Sequence, residues 1–319
     1  MKKLLKDCLY IFFIVSVLFF ITDQPSFSRN IKFAQLSDIH YSDTKDLTDY
    51  KMLSKTKPLL EDAISQINNI NNLDFVMITG DGIDKPNKES INSLILLLNK
   101  LNYPWYYAVG NHDITIGGFL TKANLIKILK EKNQNFKFDS TYYTFKPKKG
   151  FRIIVMDGAR NECISSNGLI PEEELCWLDE ILKDSKKDTV LIFIHYPLLP
   201  PFESKYHKIL NDKEFKKVLE KYNMPIAIFS GHYHTTKIKK RGNILHVSSP
   251  SLFWYPNAFR IVTVENKRKQ VIFKFDFHET NLKDFQTKTK IMTLGGAKYY
   301  GKPEDRNTTI IMERKYDKK

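Results

Sequence analysis

Five short polar motifs, each placed just after an apolar run, contain the residues of this 319-residue chain that are best suited to chemistry. In chain order the motifs are Asp38-Ile39-His40, Gly80-Asp81, Gly110-Asn111-His112-Asp113, His195-Tyr196-Pro197 and Gly231-His232-Tyr233-His234. Taken singly, each is more often a turn or an ordinary half-buried histidine than a ligand set. Five of the eight histidines nevertheless fall in these motifs, and imidazole, carboxylate and amide groups together suit divalent metals. The series therefore predicts a metal site.

Spacing within two of the motifs gives a local expectation. Asp38 and His40 are separated by one residue, as are His232 and His234. In extended backbone, residues i and i+2 point to the same side, so Asp38 and His40 are expected to share one ion. Gly231, just before the second pair, leaves room for close backbone approach.

The elements that must position these motifs are predicted by apolar patterning. Runs such as Asp74–Thr79 and Val190–Ile194 are typical of buried strands, whereas the apolar residues between positions 59 and 67 recur at helical spacing. Strands and helices alternate from Ile31 to Phe229, after which helices are expected to stop and three strands to follow. This order predicts a layered α/β domain with mixed sheets, with the motifs at the carboxyl ends of strands.

The order of the motifs resembles that of the calcineurin-like metallophosphoesterase family over roughly residues 29–275. This resemblance implies a four-layer α-β-β-α sandwich with two central mixed sheets. It also implies hydrolysis of phosphoric esters, diesters or monoesters, by a dinuclear centre of two divalent ions (Mn, Fe or Zn) with a bridging hydroxide as nucleophile. Carried over motif by motif, the ligands of the first ion are Asp38, His40 and His234, those of the second are Asn111, His195 and His232, and Asp81 bridges both.

The same resemblance makes His112 the proton donor to the leaving oxygen and Asp84 the carboxylate that orients it. An ionised Asp84 beside His112 would favour the imidazolium and keep a proton available. Two cations about 3.5–4 Å apart neutralise phosphoryl oxygens and activate a shared water, which requires a bridging carboxylate such as Asp81. Gly80-Asp81-Gly82-Ile83-Asp84 lacks the Arg-Gly that follows in Ser/Thr protein phosphatases, and Asp113 stands where those enzymes have Glu. The chain therefore looks closer to the secreted or bacterial branches that are similar to cyclic-nucleotide phosphodiesterases and acid phosphatases.

Both ends of the chain differ in composition from the middle. Residues 1–28 have a basic start, an apolar core from Leu9 to Ile21 and small residues before Arg29, which predicts a cleaved signal peptide or, alternatively, an uncleaved N-terminal membrane anchor. The protein is accordingly expected to be secreted or in the cell envelope. The predicted metallophosphoesterase domain covers residues 29–280, and residues 281–319 form a polar, Lys-rich C-terminal extension, either packed or mobile.

The net charge limits the kinds of partner that the sequence favours, and the cysteines leave two structural alternatives open. A formal charge of +14 raises the local concentration of anions and suits a phosphorylated small molecule or nucleotide, but no nucleic-acid-binding motif is present. A non-catalytic basic protein that binds anionic envelope polymers on a phosphoesterase fold is the alternative, and it would usually have lost one of the seven ligands. Cys163 and Cys176 form a disulfide, or else Cys176 is a buried thiol beside Trp177; the sequence favours neither.

Several aromatic residues lie close to the predicted ligands in sequence. They could stack on the base or sugar of a substrate or simply pack in the wall of the site, and the sequence leaves both open. These residues are Tyr41, Tyr196, Phe202, Tyr206 and Tyr233.

Overall fold

The computed structural model describes residues 29–44, 51–115, 117–163, 165–294 and 296–314. The predicted signal peptide or anchor, residues 1–28, lies outside this part of the chain. Within the described residues, no helix combines the length and the hydrophobicity needed to cross a bilayer.

Twelve strands and eight helices are present in the described residues. The strands are β1 (Arg29–Leu36), β2 (Phe75–Thr79), β3 (Trp105–Ala108), β4 (Tyr143–Phe145), β5 (Phe151–Val155), β6 (Thr189–Phe193), β7 (Ile226–Ser230), β8 (Lys237–Arg241), β9 (Ile244–Ser248), β10 (Ala258–Asn266), β11 (Gln270–Glu279) and β12 (Thr308–Glu313). The helices are α1 (Thr56–Asn68), α2 (Lys88–Leu98), α3 (Lys122–Lys132), α4 (Glu172–Asp184), α5 (Asp212–Glu220), α6 (Lys283–Met292), α7 (Ala297–Tyr300) and α8 (Pro303–Arg306), and one 3-10 turn precedes α1 (Leu53–Lys55).

The strands form two six-stranded mixed sheets. The first has the order β12-β11-β10-β1-β2-β3, with β1, β2 and β3 parallel and the other pairs antiparallel. The second has the order β4-β5-β6-β7-β9-β8, with β5, β6, β7 and β9 parallel and the two outer pairs antiparallel. The predicted pair of mixed sheets is confirmed.

Aromatic side chains join the two sheets face to face. The ring of Phe33 on β1 meets Phe193 of β6 and Phe229 of β7 edge-on, at centroid distances of 5.4 and 5.2 Å, and stacks on Phe75 of β2 at 5.0 Å. All four residues are 0–1% exposed. The hydrophobic core therefore lies between the two sheets.

The helices of the parallel crossovers form the outer layers. Helices α1 and α2 connect β1 to β2 and β2 to β3, and α4 and α5 connect β5 to β6 and β6 to β7. Parallel crossovers are right-handed, and the inner face of each sheet is covered by the other sheet, so these helices pack outside. Their spacing explains the burial: Leu59, Ala63 and Ile67 of α1 are fully buried because they recur on one face of the helix. The four-layer α-β-β-α prediction is confirmed.

The described C-terminal residues, 281–294 and 296–314, pack onto the sheets. Strand β12 extends the first sheet beyond β11, with Met312 opposite Val271 and 1% exposed. Arg260 on β10, which is fully buried, donates from Nη2 to the carbonyl oxygen of Asp305 at 2.8 Å. The expectation that helices stop after Phe229 was wrong, because α6 follows β11. Strand β8 was also missed, because Lys237–Arg241 is a basic edge strand without an apolar run.

Candidate metal centre

All five motifs follow the carboxyl ends of strands and meet at one edge of the two sheets. Asp38 follows β1, Asp81 follows β2 and Asn111 follows β3 in the first sheet. His195 follows β6 and His232 follows β7 in the second. The loops are joined directly, since the backbone N–H of His232 donates to both carboxylate oxygens of Asp38 at 3.1 Å. The site is therefore built where the two sheets face each other.

The backbone of five predicted ligands is left-handed. Their φ angles are 51° for Asp38, 47° for His40, 50° for Asp81, 68° for His232 and 52° for His234. The expectation that Asp38 and His40 align on extended backbone was therefore wrong in its reason. Non-glycine residues in this region cost of order 1–3 kcal/mol each and cluster at functional sites. The fold thus accepts local strain where these side chains converge.

A first cluster contains Asp38, His40 and His234. Their nearest ligand atoms all lie within 4.8 Å of one another. Oδ1 of Asp38 is 3.3 Å from Nε2 of His234, and both ring nitrogens of His40 are buried without a hydrogen-bond partner among the described residues. Gly231 permits this packing, since a Cβ there would lie 2.5 Å from Oδ2 of Asp38.

A second cluster contains Asp81, His195 and His232. Oδ2 of Asp81 is 3.2 Å from Nε2 of His195, which in turn is 3.0 Å from Nδ1 of His232. Nδ1 of His195 is bonded to the carbonyl oxygen of Thr79 at 2.9 Å, so that Nε2 is directed into the cluster. Within the described residues, Nε2 of His232 and Oδ1 of Asn111 are buried without a partner.

Asp81 lies between the two clusters. Its Oδ2 is 3.2 Å from Nε2 of His195 in the second cluster and 3.8 Å from Nε2 of His40 in the first. Its Oδ1 accepts from the backbone N–H of His112 at 2.9 Å, which fixes the carboxylate in this position. The unpartnered nitrogen and oxygen atoms on both sides fit divalent cations, because buried polar groups are otherwise hydrogen-bonded.

Electrostatics keep the carboxylates charged and one imidazole neutral. Burial raises the pKa of Asp38 and of Asp81, but nearby histidines, His234 for Asp38 and His195 for Asp81, outweigh it and lower both pKa values. Burial, reinforced by the charge of His195, lowers the pKa of His232 well below its usual value. Burial also lowers the pKa of His195, but the adjacent Asp81 carboxylate raises it to about 9. An enclosed pair of negative charges with imidazole nitrogens is a favourable environment for cations.

The main chain of Asp84 contacts His112 directly, and the predicted orienting role of the Asp84 carboxylate stays a prediction. Nδ1 of His112 is 2.8 Å from the backbone carbonyl oxygen of Asp84, so that His112 is oriented by main chain. The Asp84 carboxylate itself forms a salt bridge with Lys51, and its Oδ1 is 3.7 Å from Nδ1 of His40. It also forms a third group with His40 and His112, in which the nearest ligand atoms lie within 4.8 Å of one another. The rings of His112 and His40 are 4.7 Å apart and nearly perpendicular. His112 therefore lies at the edge of the first cluster without belonging to the Asp81–His195 cluster.

Asp113 is a structural anchor of the site that the sequence reasoning missed. It is fully buried and accepts hydrogen bonds through both oxygens. Burial raises its pKa to about 6. The sequence feature that could have indicated this role is the position of Asp113 as fourth residue of the Gly-Asn-His-Asp motif, beside two predicted functional residues. The donors to Asp113 are the backbone N–H groups of Asp81, Gly82, Ile83 and Gly110 and the hydroxyl of Tyr107.

The aromatic residues near the ligands divide into two groups. Tyr41, Tyr196 and Tyr233 are 2%, 0% and 4% exposed and pack in the wall of the site. Phe202 is half-buried and Tyr206 is exposed, so only these two retain open ring surface.

Neither reading of the cysteines is correct. Cys163 is half-buried and Cys176 is exposed, and both thiols are free. The buried face of α4 contains Leu175, Leu178 and Leu182. Cys176 directly follows Leu175 and is rotated by about 100° from it along the helix, which turns it to solvent.

Fold and sequence both identify the class of protein. The profile of the calcineurin-like phosphoesterase family matches residues 31–236, and the chain belongs to that family. A dimetal phosphatase from Danio rerio has a similar fold, with a TM-score of 0.62 at 19% identity over 77% of this chain and 95% of that one. The predicted family and enzyme class are confirmed.

Two curated relatives indicate the kind of substrate found among similar enzymes. A manganese-dependent ADP-ribose/CDP-alcohol diphosphatase of Arabidopsis thaliana is 24% identical over 261 residues, 66% of this chain and 81% of the relative. A 3′,5′-cyclic-nucleotide phosphodiesterase of Nostoc sp. is 27% identical over 226 residues, 69% of this chain and 78% of the relative. The protein is thus a metal-dependent phosphoesterase among relatives named for nucleotide-like phosphorylated molecules.

Proposed function

We propose that the protein hydrolyses a phosphodiester or diphosphate bond in a nucleotide-like small molecule, using two divalent ions held by the two clusters. The main support for this proposal is the position of Asp81, whose Oδ2 lies 3.2 Å from Nε2 of His195 and 3.8 Å from Nε2 of His40. A carboxylate between two ligand sets is what a bridging ligand requires. The basic surface, with a formal charge of +14, would attract such an anionic substrate.

Each side chain has a defined task in this proposal. Asp38, His40 and His234 hold the first ion, and Asn111, His195 and His232 hold the second. When bound, the ions would neutralise the phosphoryl oxygens and activate a water molecule as the nucleophile.

His112 would protonate the leaving oxygen. Its Nδ1 is occupied by the carbonyl oxygen of Asp84 at 2.8 Å, which leaves Nε2 as the atom that can face a substrate. The carbonyl fixes the ring orientation, while the Asp84 carboxylate balances the charge of Lys51. This assigns Asp84 a positioning role that acts through its main chain.

Metal identity and location are part of the proposal. The nitrogen and oxygen donors suit Mn, Fe or Zn, and the manganese-dependent relative favours Mn.

The composition of residues 1–28 supports export to the cell envelope or the medium. N-terminal sequencing of the protein recovered from its native host tests cleavage before Arg29, and an intact Met1 in a membrane fraction would instead support the anchor.

Metal removal and hydrolysis assays test the reaction. Purified protein should contain about two ions per chain, lose hydrolysis of bis-p-nitrophenyl phosphate with a chelator, and regain it with Mn²⁺. Asp81→Asn should lower both metal content and turnover, because it weakens the proposed bridge. Absence of hydrolysis of this diester, of p-nitrophenyl phosphate and of nucleotide substrates with Mn, Zn and Fe would favour the non-catalytic polymer-binding alternative.

His112→Ala separates proton donation from metal binding. The variant should keep its metal but lose about 10²–10⁴-fold in kcat on substrates with alkoxide leaving groups, and less on p-nitrophenyl esters, whose leaving group needs no proton. His278→Ala is the matched control, because His278 is a half-buried histidine on β11 that stacks on Phe259 at 5.3 Å. Loss of both metals in His112→Ala, or an equal loss on both substrate types, would contradict the role.

A further inference from the structure

An aromatic wall extends outward from the second cluster. The ring of His207 is 5.1 Å from that of His232 and 5.7 Å from that of Tyr233. Phe202 meets Tyr233 edge-on at 4.9 Å. Phe202 and His207 both belong to the loop between β6 and α5, and both are half-buried. The wall is therefore continuous with the proposed site of hydrolysis.

A lysine from the far end of the chain completes this wall. The ammonium of Lys298, on α7, lies 3.2 Å from the ring centroid of Phe202 and 6.0 Å from that of Tyr299. Its side chain is exposed, and among the described residues no carboxylate lies within 4.0 Å of the ammonium. A cation held on an aromatic face without an acidic partner is available to an anion.

The segment that carries Lys298 is fixed to the metal loop. The backbone N–H of Thr236, two residues after His234, donates to the carbonyl oxygen of Tyr299 at 2.9 Å. Gly301 has a φ of 71°, and a Cβ there would lie 2.3 Å from the carbonyl oxygen of Thr236. The carboxylate of Asp305 pairs with Lys237 at 2.8 Å. The residues that follow Lys298 are thus held against the chain that follows His234, and Lys298 lies outside the family match at residues 31–236.

We propose that Phe202, His207 and Lys298 form a subsite for the part of the substrate beyond the reacting phosphorus, and that it takes a second phosphate linked to a nucleoside. The inference rests on the proposed function and narrows its substrate class. A 3′,5′-cyclic nucleotide has one phosphate, which the clusters would occupy, and it leaves Lys298 without a partner. A nucleoside diphosphate derivative offers a second phosphate to Lys298 and a base to the open ring surface.

Kinetics of Lys298→Met test the subsite in the Mn²⁺-loaded protein. The ratio of kcat/KM for ADP-ribose to that for bis-p-nitrophenyl phosphate should fall about tenfold, as loss of one charged contact implies, mainly through KM for ADP-ribose. Phe202→Leu should lower the same ratio, and Lys298→Arg should restore most of it. Lys290→Met is the matched control, because Lys290 is also exposed and lies over an aromatic ring, that of Tyr255, at 5.9 Å.

Binding supplies a readout that does not depend on turnover. The Kd of adenosine 5′-(α,β-methylene)diphosphate, measured by calorimetry with Mn²⁺, should rise about tenfold in Lys298→Met and remain unchanged in Lys290→Met. An unchanged Kd and ratio in Lys298→Met, or a wild-type protein that hydrolyses cyclic AMP but not ADP-ribose, would overturn the inference. Failure of the proposed function looks different: the wild type would hydrolyse none of these esters with any of the three metals.

Discussion

Replacing Asp113 by Asn should destabilise the protein and loosen its metal centre. The two oxygens of Asp113 receive five hydrogen bonds: one accepts from the N–H groups of Asp81 at 3.0 Å and Gly110 at 2.7 Å, and the other accepts the remaining three. An Asn side chain has one acceptor oxygen, so its NH₂ group must face at least two donors. With its oxygen at the Oδ1 position, the amide leaves the N–H groups of Asp81 and Gly110 without an acceptor. With its oxygen at the Oδ2 position, it leaves that of Ile83 without one, since the N–H of Gly82 keeps the Tyr107 hydroxyl at 3.1 Å. Either orientation therefore leaves one or two buried N–H groups unpaired.

The magnitude follows from that count. Each buried donor left unpaired costs about 1–3 kcal/mol, so the free energy of unfolding of Asp113→Asn should fall by about 3 kcal/mol. In either orientation at least one N–H group of residues 81–83 loses its acceptor, so Mn²⁺ affinity should fall as well. Tyr107→Phe removes the hydroxyl that donates to Asp113 at 2.7 Å and accepts from the N–H of Gly82 at 3.1 Å. That N–H keeps its bond to Asp113 at 2.9 Å, so no buried donor is left unpaired and the cost should be only about 1 kcal/mol.

Urea unfolding of the metal-free proteins measures the free energy of unfolding, and calorimetric titration with Mn²⁺ measures the metal affinity. Asp276→Asn on β11 is the control, since this side chain is exposed and β10 separates its strand from β1. A change below about 0.5 kcal/mol in Asp113→Asn, with wild-type Mn²⁺ affinity, would refute the view that Asp113 anchors the Asp81 loop. A stability loss with unchanged affinity would show that the anchor serves the fold alone.

Two further predictions concern the second sheet and the C-terminal segment. Arg260→Met leaves the carbonyl oxygens that Arg260 binds without a donor, so urea unfolding should show a loss of about 2–4 kcal/mol and limited proteolysis should cut residues 296–306 faster. Burial lowers the pKa of His246 from 6.5 to about 4. As the pH falls, the unfolded chain therefore binds a proton at this residue before the folded protein does. The contribution of neutral His246 to the free energy of unfolding is complete above about pH 6.5 and is lost toward pH 4. Relative to His246→Asn, the wild type should lose about 1–3 kcal/mol in unfolding free energy between pH 7 and pH 4; parallel pH profiles would contradict this.

Much of the fold and site could be predicted because the informative patterns are local. Phe75–Thr79 is buried throughout and reads as an apolar run that ends at Gly80. The ligand at position 81 follows directly, and the same rule places His195 after β6. Once strands and chain reversals are located, the carboxyl edge of a parallel sheet gathers these side chains without knowledge of any individual contact.

The backbone at the ligands could not be predicted in this way. Asp and His enter the left-handed region more readily than most residues, but this tolerance alone does not predict the φ angles near 50° of Asp38 and His40, because that region is reached through contacts between loops. Those contacts include the bond from the N–H of Asp38 to the carbonyl of Gly80 at 3.1 Å. The ion pair between Asp84 and Lys51 escaped prediction for a related reason, because Lys51 precedes Asp84 by 33 positions and lies outside any motif.

The C-terminal segment shows most clearly where pattern reasoning ends. Lys-rich and weakly periodic, residues 281–314 have no local signature of burial, yet Asp305 is 2% exposed and joins β8 and β10 through Lys237 and Arg260. Those partners precede it by 68 and 45 residues. A motif series can predict which residues hold ions and meet a phosphorus atom, because its members sit at strand ends. In the proposed subsite, the group beyond the phosphorus contacts Lys298, whose position depends on contacts between the C-terminal segment and the loop after His234 and is recorded in no short motif.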